Sequence, residues 1–300
     1  MKKIKFSILI TTKNRLEDLK RTIQSILHLI ERDDVECIVY DDASTDGTFK
    51  YLEKKYPQIK LFQNEKSLGL IHNRNVLFNN CNGKYAISLD DDLNFLIENP
   101  LEIIEDHFKR YLHCGLITFR IYWGKNEPTT TYTNQTPLRV KSYAGGAHCY
   151  KVDIWKNIPN YPDWFIFYGE EDFASYHLFK KGIEIHYVPN ILVHHRVDLK
   201  SRKKDKDYII RTRRALRAGW YLMLMFYPLK VIPKTWLYSL LIQIKNKILK
   251  GDFRALLGVI LAMIDIIINS HKIINNSSRL TFEEFNNYKK LAENKLYWRP

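Results

Sequence analysis

The chain has 300 residues, room for one large domain or two modest ones, and its 45% apolar and 27% charged residues exclude disorder and low complexity. Its net charge of +14 is unevenly placed: residues 1–199 carry 26 basic and 26 acidic side chains, whereas residues 200–300 carry 21 and 7. The front is therefore not built to hold polyanions, and the back faces something anionic or interfacial. Cys37, Cys81, Cys114 and Cys149 form no Cys-x-x-Cys pair, which excludes a zinc ribbon or a disulfide framework and suits a reducing compartment. The first apolar run ends at Ile10, too short for a signal peptide. The longest apolar stretch, residues 255–268, contains Asp265 and falls short of the roughly 20 residues that a spanning helix needs.

Taken in order, residues 6–10 read as a buried strand and 16–30 as a helix, with Leu16, Leu19, Ile23, Ile26, Leu27 and Ile30 at helical spacing. Strands are predicted at 35–40, 59–62 and 85–89, alternating with helices at 47–56, stopped by Pro57, and at 68–80. Such alternation builds right-handed βαβ units, hence an α/β fold with a mostly parallel sheet flanked by helices. Ligands bind these sheets at the carboxyl ends of the strands. Here those ends carry Thr11-Thr12, Asp41-Asp42 and Asp90-Asp91-Asp92. A helix at 101–113 and a strand at 116–123 precede a loop at 124–138 rich in Thr, Asn and Pro. Gly145-Gly146 and an aromatic stretch at 155–168 follow. Gly169-Glu170-Glu171-Asp172 then opens a helix to about Lys181, with its acids where the helix dipole favours them. A strand at 183–188, a break at Pro189 and a strand at 191–193 lead into His194-His195-Arg196. Beyond a charged stretch at 200–207, helices at 208–227, 235–250, 253–269 and 281–296 make an appendage with its own composition.

Asp90-Asp91-Asp92 admits two readings. One is a solvated acidic turn; the other is an Asp-x-Asp site whose oxygen ligands hold Mg²⁺ or Mn²⁺ against a diphosphate. Other acids converging on the same sheet edge favour the metal. Asp41 and Asp42 end their strand where a carboxylate accepts the N3–H of a uracil or the hydroxyls of a ribose, while Ser44, Thr45 or Asp46 caps the next helix. No Gly-x-Gly-x-x-Gly follows the first strand, which disfavours a dinucleotide site. Arg74, on the helix before the Asp strand, has a fork that suits either an Asp of the triplet or a phosphate. A catalytic base must be a carboxylate near the acceptor hydroxyl, and Glu170, Glu171 and Asp172 are placed to supply one. Alternation with Ile191 and Val193 turns His195 inward. Trp164, Phe165, Phe167 and Tyr168 form either core or an apolar wall for an acceptor.

The order of these motifs, from Thr-Thr-Lys-Asn-Arg through Tyr-Asp-Asp-Ala-Ser-Thr-Asp-Gly-Thr, Gly69 to Asn75, Ser-Leu-Asp-Asp-Asp, Gly-Gly and Gly-Glu-Glu-Asp to Val-Pro and His-His, resembles a family 2 glycosyltransferase of the GT-A fold over residues 3–196. The resemblance implies a nucleotide-diphosphate-sugar donor, a divalent cation and inversion at the anomeric carbon. By matching positions, Thr11, Asp41, Asp42, Arg74, Asp90 and Asp91 bind the donor, and Asp92, Asp90 and His195 hold the metal. On the acceptor side stand Gly145, Gly146, Trp164 and Glu170, while Asp172, with Glu171 beside it, is the expected base. Two places depart from the family pattern: Lys13 replaces an aromatic, and Phe173-Ala174-Ser175-Tyr176 lacks a further Asp and Arg.

The expected division is a catalytic domain at 1–200, with a nucleotide-sugar half at 1–95 and an acceptor half at 96–200, followed by a helical region at 201–300. The expected acceptor is a saccharide or lipid-linked saccharide in assembly of a bacterial-type surface polysaccharide or glycan. A catalytically inactive sugar-nucleotide-binding scaffold, or a metal-dependent phosphohydrolase or nucleotidyltransferase, fits the carboxylates less well. Arg202, Lys203, Lys204, Arg211, Arg213, Arg214 and Arg217 precede a segment at 220–227 that is aromatic at both ends. This pattern predicts docking on the anionic cytoplasmic face of a membrane. The apolar helix at 253–268 alternatively buries against the catalytic domain or joins a homo-oligomer. Nucleic-acid binding is not expected, because the basic residues accompany long apolar helices rather than a nucleic-acid module.

Overall fold

The computed structural model describes residues 3–197, 207–295 and 297–300. The front half follows the expected alternation: β1 (Phe6–Thr12), α1 (Leu16–Ile30), β2 (Val35–Asp41), α2 (Thr48–Lys55), β3 (Lys60–Gln63), α3 (Leu70–Asn80) and β4 (Tyr85–Asp90). β3, β2, β1 and β4 lie side by side, all parallel. The apolar runs of β1, β2 and β4 are buried on both faces, as continuous hydrophobic strands require, while the edge strand β3 is only half-buried. Leu19, Ile23, Ile26 and Ile30 turn one stripe of α1 into the core, each contributing about 1.5–3 kcal/mol by burial. The register pairs Thr11 with Asp90 and Thr12 with Asp41, which aligns the polar strand ends.

The second half is mixed rather than parallel. β5 (Leu93–Phe95), α4 (Pro100–Arg110), β6 (Cys114–Trp123), β7 (Leu138–Val140), β8 (Ala147–Lys151), α5 (Val152–Lys156), α6 (Glu170–Lys180) and β9 (Glu184–His195) complete the sheet in the order β3-β2-β1-β4-β8-β6-β9-β5, with β7 on β9. β8 runs antiparallel between β4 and β6, bringing Gly146 against Asp90, whose N–H donates to the Gly146 carbonyl at 3.0 Å. β5 runs antiparallel to β9 and pairs Leu93 with His195, which sets Asp92 beside the histidine. The break expected at Pro189 is a bulge: β9 is one strand whose register against β6 jumps between Val188 and Leu192. A proline without an N–H is accommodated by such a bulge without ending the strand.

Beyond the sheet come α7 (Tyr208–Phe226), α8 (Ile232–Asn246), a 3-10 turn (Ile248–Lys250), α9 (Phe253–Ile268), α10 (Ser270–Asn275) and α11 (Phe282–Lys290). The helix expected over 281–296 ends at Lys290; Leu296, like Arg202, Lys203, Lys204 and the rest of the charged stretch before Asp207, lies outside the described residues. Thr281 and Glu284 start α11 with a reciprocal capping box. The tail then rejoins the sheet, Ala292 bridging to Val140 and Trp298 to Tyr122, with the Arg120 guanidinium 4.3 Å from the Trp298 ring.

One face of α7 (Tyr221, Met225, Phe226) shares a core with Trp155, Phe165 and Phe173, while Trp220 and Met223 on the other face pack against Val259 and Ala262 of α9. Gly258 permits that closeness: a Cβ there would lie 2.9 Å from Thr212 Cγ2. The seam is pinned by buried Asp265, which accepts from Arg213 Nε at 2.7 Å and Arg217 Nη1 at 3.3 Å. Arg217 also donates to the Phe165 carbonyl. Against the opposing effect of burial, these two arginines hold the Asp265 carboxyl below its ordinary range. Asp265→Ala strands Arg217 and should lower the unfolding free energy by about 3 kcal/mol, read from urea midpoints. The depressed carboxyl stabilises the fold above its ordinary pKa and loses that effect as protonation overtakes it. The gap between parent and variant should therefore be full at neutral pH and shrink below about pH 4.

Candidate active site

The strand ends open into a cleft of about 550 Å³, a size suited to a small-molecule ligand. Thr11, Asp42 and the Ser67–Gly69 loop line one end, Asp90 to Asp92 and His195 the floor, and Ile166, Phe167 and Arg214 the rim. Asp42 is locked in place: it accepts from Ser67 Oγ at 2.5 Å, the Leu68 N–H at 2.8 Å and Asn64 Nδ2 at 2.8 Å. Burial opposes its charge, but these donors pull its carboxyl down to about 2, as hydrogen bonds to a charged form do.

On the floor, the donor atoms of Asp90, Asp92 and His195 all lie within 4.8 Å of one another. His195 Nε2 stands 3.0 Å from Asp92 Oδ1. Arg15 bridges the triplet, 3.1 Å from Asp91 Oδ1 and 2.6 Å from Asp92 Oδ2. Thr12 Oγ1 donates to Asp91 Oδ2 at 2.8 Å. Burial pushes the Asp91 carboxyl up to about 7 against the pull of Arg15, with Asp92 adding to the rise. Asp92 is held well below the carboxylate range, because His195 and Arg15 outweigh its burial. Two carboxylates and an imidazole within coordination distance fit Mg²⁺ or Mn²⁺, and the Arg15 guanidinium shows that the pocket favours positive charge.

Behind the floor, fully buried Arg74 joins two elements. Its Nη2 donates to Asp90 Oδ1 at 2.9 Å and its Nη1 to Glu170 Oε1 at 3.0 Å. Asn75 beside it exchanges two hydrogen bonds with the Tyr161 backbone, at 2.8 and 2.9 Å, which anchors the aromatic segment to α3. Glu171 reaches the same place, since a Cβ on Gly145 would lie 2.1 Å from its Oε1 and 2.8 Å from Arg74 Nη1. A Cβ on Gly146 would lie 2.5 Å from Asp90 Oδ2. These two glycines stand where side chains must be absent for the carboxylates to close in. Burial raises both glutamates, Arg74 opposing; Glu171 adds to the rise of Glu170, whereas the hydrogen bond with Glu170 lowers Glu171 and Asp90 raises it.

The structure thus brings together Thr11, Asp42, Arg74, Asp90, Asp91, Asp92, Gly145, Gly146, Glu170, Glu171 and His195. Three expected residues stand apart. Asp41 is buried in its own turn, accepting from the Ser44 N–H at 2.9 Å and Gln63 Nε2 at 3.1 Å. Trp164 packs on Tyr221, ring centroids 5.0 Å apart, and Phe167 takes the rim instead. Asp172 lies on the far side of the α6 turn from Arg74 and is open to solvent, although desolvation by the surrounding protein pushes its carboxyl up to about 6, with Glu171 adding and Lys141 opposing. Sequence reading gave no role at the site to Arg15, the Ser67–Gly69 loop or Arg214. Arg15 follows a strand-end Thr pair in a cationic turn, which is a readable signal; Arg214 is one of several arginines on α7, and nothing in the sequence singles it out. A separate cluster of His107, Cys114 and His186 is internally satisfied, His107 Nε2 lying 2.9 Å from His186 Nδ1 and His186 Nε2 2.9 Å from Glu184.

Residues 7–175 match the model of a family described as glycosyl transferase family 2. No curated protein matches the chain. Among solved structures it is similar to GalNAc-T7 with UDP, GalNAc and Mn²⁺ at TM-score 0.59 and 18% identity, covering 75% of this chain and 48% of that one. It is also similar to the mannosyltransferase PcManGT from Pyrobaculum calidifontis in complex with GDP-Man and Mn²⁺, at TM-score 0.53 and 15% identity, covering 73% and 62%. A third is S. aureus TarS 1-349 in complex with UDP-GlcNAc, at TM-score 0.52 and 17% identity, covering 70% and 65%. At these identities the likeness shows the fold. The chain spans between about half and just under two thirds of the length of these neighbours.

Gly146→Ala inserts a methyl group into the Asp90 carboxylate. Mn²⁺ affinity, measured by calorimetry, should fall at least tenfold, as is typical when a ligand's support is disturbed. Gly219→Ala on α7, where a Cβ meets nothing within 4 Å, should leave it unchanged.

Proposed function

Since the chain belongs to glycosyl transferase family 2, we propose that it moves a sugar from a nucleotide-diphosphate-sugar to a hydroxyl acceptor with inversion. The setting we assign is assembly of a bacterial-type surface polysaccharide or glycan, on a saccharide or lipid-linked saccharide. The observation that carries the reading is the meeting of Asp90, Asp92 and His195 with Arg74, Glu170 and Glu171 beside a cleft of about 550 Å³. Neighbours of the same fold are described with UDP, UDP-GlcNAc or GDP-Man, and two of them with Mn²⁺.

The end formed by Thr11, Asp42 and the Ser67–Gly69 loop takes the nucleoside. Asp90, Asp92 and His195 would hold Mg²⁺ or Mn²⁺, which when bound supplies the charge that neutralises the departing diphosphate. Arg214 adds a positive charge at the rim. Glu171, rather than Asp172, is the base of this reading, because it stands beside Asp90 and Arg74 while Asp172 faces outward. Burial raises its carboxyl above the ordinary carboxylate range, the direction that strengthens a general base. Glu171 takes the proton of the acceptor hydroxyl as that oxygen bonds to the anomeric carbon. On the opposite face, the bond to the diphosphate oxygen breaks with its electron pair, through an oxocarbenium-like transition state. Arg74 orients Glu170 and Asp90, and so sets both sides of the reacting carbon.

Release of nucleoside diphosphate across a panel of UDP- and GDP-sugars tests the reading. Asp92→Ala should remove nearly all metal-stimulated release; full activity of that variant in chelator would overturn the metal assignment. Glu171→Gln should lower kcat by roughly a hundredfold or more with donor affinity retained, the scale of a lost general base. Asp172→Asn should stay within about tenfold, or 1.4 kcal/mol; the reverse outcome returns the role to Asp172.

A further inference from the structure

α9 buries its small residues and exposes its large ones. Ala255, Gly258 and Ala262 face α7, while Leu257, Ile260, Ile264 and Ile267 point outward, the last 74% exposed. On α8, Leu237 and Leu241 are likewise exposed. Soluble monomers rarely leave such a contiguous apolar face uncovered. Exposed Lys234, Lys245, Lys250 and Arg254 flank its ends. Residues 208–281 hold twelve lysines and arginines and two acids. Both acids are engaged: Asp252 caps α9 and accepts from Tyr208 at 2.6 Å, and Asp265 holds Arg213 and Arg217.

We infer that this face of α8 and α9 seats on an anionic lipid bilayer. The helices lie in the interface, their leucines and isoleucines among the acyl chains and their cations at headgroup level. They do not cross it: among the described residues no helix is long and apolar enough to do so. The 16 residues of α9 span about 24 Å, less than the roughly 30 Å hydrocarbon core. A second copy fits the face less well. Two-fold pairing would set the same cations against one another, with both neighbouring acids already engaged. α7 lies between the seated face and the cleft, carrying Arg214 into the rim and packing on α9. One helix layer, about 8–10 Å between axes, therefore separates lipid from rim, which suits an acceptor held at a membrane surface. The inference stands apart from the transferase reading and does not need it.

The test is flotation of the full chain with phosphatidylglycerol–phosphatidylethanolamine vesicles and with phosphatidylcholine vesicles, across a salt series. The parent should bind the anionic vesicles at least tenfold better, with the preference shrinking as salt screens it. Leu257→Glu combined with Ile264→Glu, both at solvent-facing sites, should lose at least tenfold in binding while melting as the parent does. Lys245→Glu with Lys250→Glu should lose the anionic preference. A parent that stays soluble with anionic vesicles at low salt overturns the inference. So does a stable dimer by sedimentation velocity that the Leu257/Ile264 variant dissociates. Nucleotide-sugar binding, measured separately by calorimetry, reports on the cleft alone; its absence would count against the transferase reading and leave the docking result standing.

Discussion

Five carboxylates, Asp90, Asp91, Asp92, Glu170 and Glu171, converge on one edge of the sheet, and their repulsion is the constraint to which the site is fitted. Two like charges 4 Å apart repel by about 4 kcal/mol at an effective dielectric of 20. The chain answers with Arg74 between Asp90 and Glu170, Arg15 across Asp91 and Asp92, and His195 on Asp92. Each cation comes from a different part of the chain, Arg15 from the turn between β1 and α1, Arg74 from α3 and His195 from β9, so these must meet β4 and α6 before the charges balance. Folding and the formation of the site are therefore one event. Gly145 and Gly146 belong to the same solution, since any side chain there would push the carboxylates apart.

The parallel half of the sheet was legible because its signals are local. Apolar runs such as Phe6 to Ile10 and the stripe from Leu19 to Ile30 state their own period, and the strand ends locate the site. The antiparallel half was not. Ala147-His148-Cys149-Tyr150-Lys151 has no alternation to read, and it becomes β8 only because β4 and β6 leave a gap on either side of it. Pro189 was read as a stop, whereas the pairing of β6 on both sides of it carries β9 through. The three acids after Gly169 show the limit most clearly. They lie about 100° apart around one helical turn, and the sequence does not say which of them faces in. Packing of Phe173, Ala174 and Tyr176 sets that rotation, turning Glu170 and Glu171 toward Arg74 and Asp172 away.

The rim of the cleft holds its shape under strain. Ile166 and Tyr168 have φ of 69° and 71°, in the left-handed region that a β-branched or bulky residue avoids. They flank Phe167, which lines the cleft. Surrounding contacts enforce this conformation: Arg217 holds the Phe165 carbonyl, Asp265 holds Arg217, and Trp164 and Phe165 both pack on Tyr221. An unfavourable backbone persists where its neighbours over-determine it. Here those neighbours lie on α7 and α9, outside the stretch that carries the family's motifs.

That arrangement bears on how the chain can be cut and recombined. The segment matching the family model stops within α6, at residue 175, yet the core does not stop there. Tyr221, Phe226, Phe285 and Tyr288 lie in the same apolar cluster as Trp155 and Phe173, and the tail closes against Val140 and Tyr122. A shortened enzyme ending near residue 200 would expose that cluster and release the grip on Phe165. The helices are thus not a detachable anchor. Exchanging them with those of a relative would transplant part of the active-site wall, and any such chimera inherits the donor's rim along with its tail.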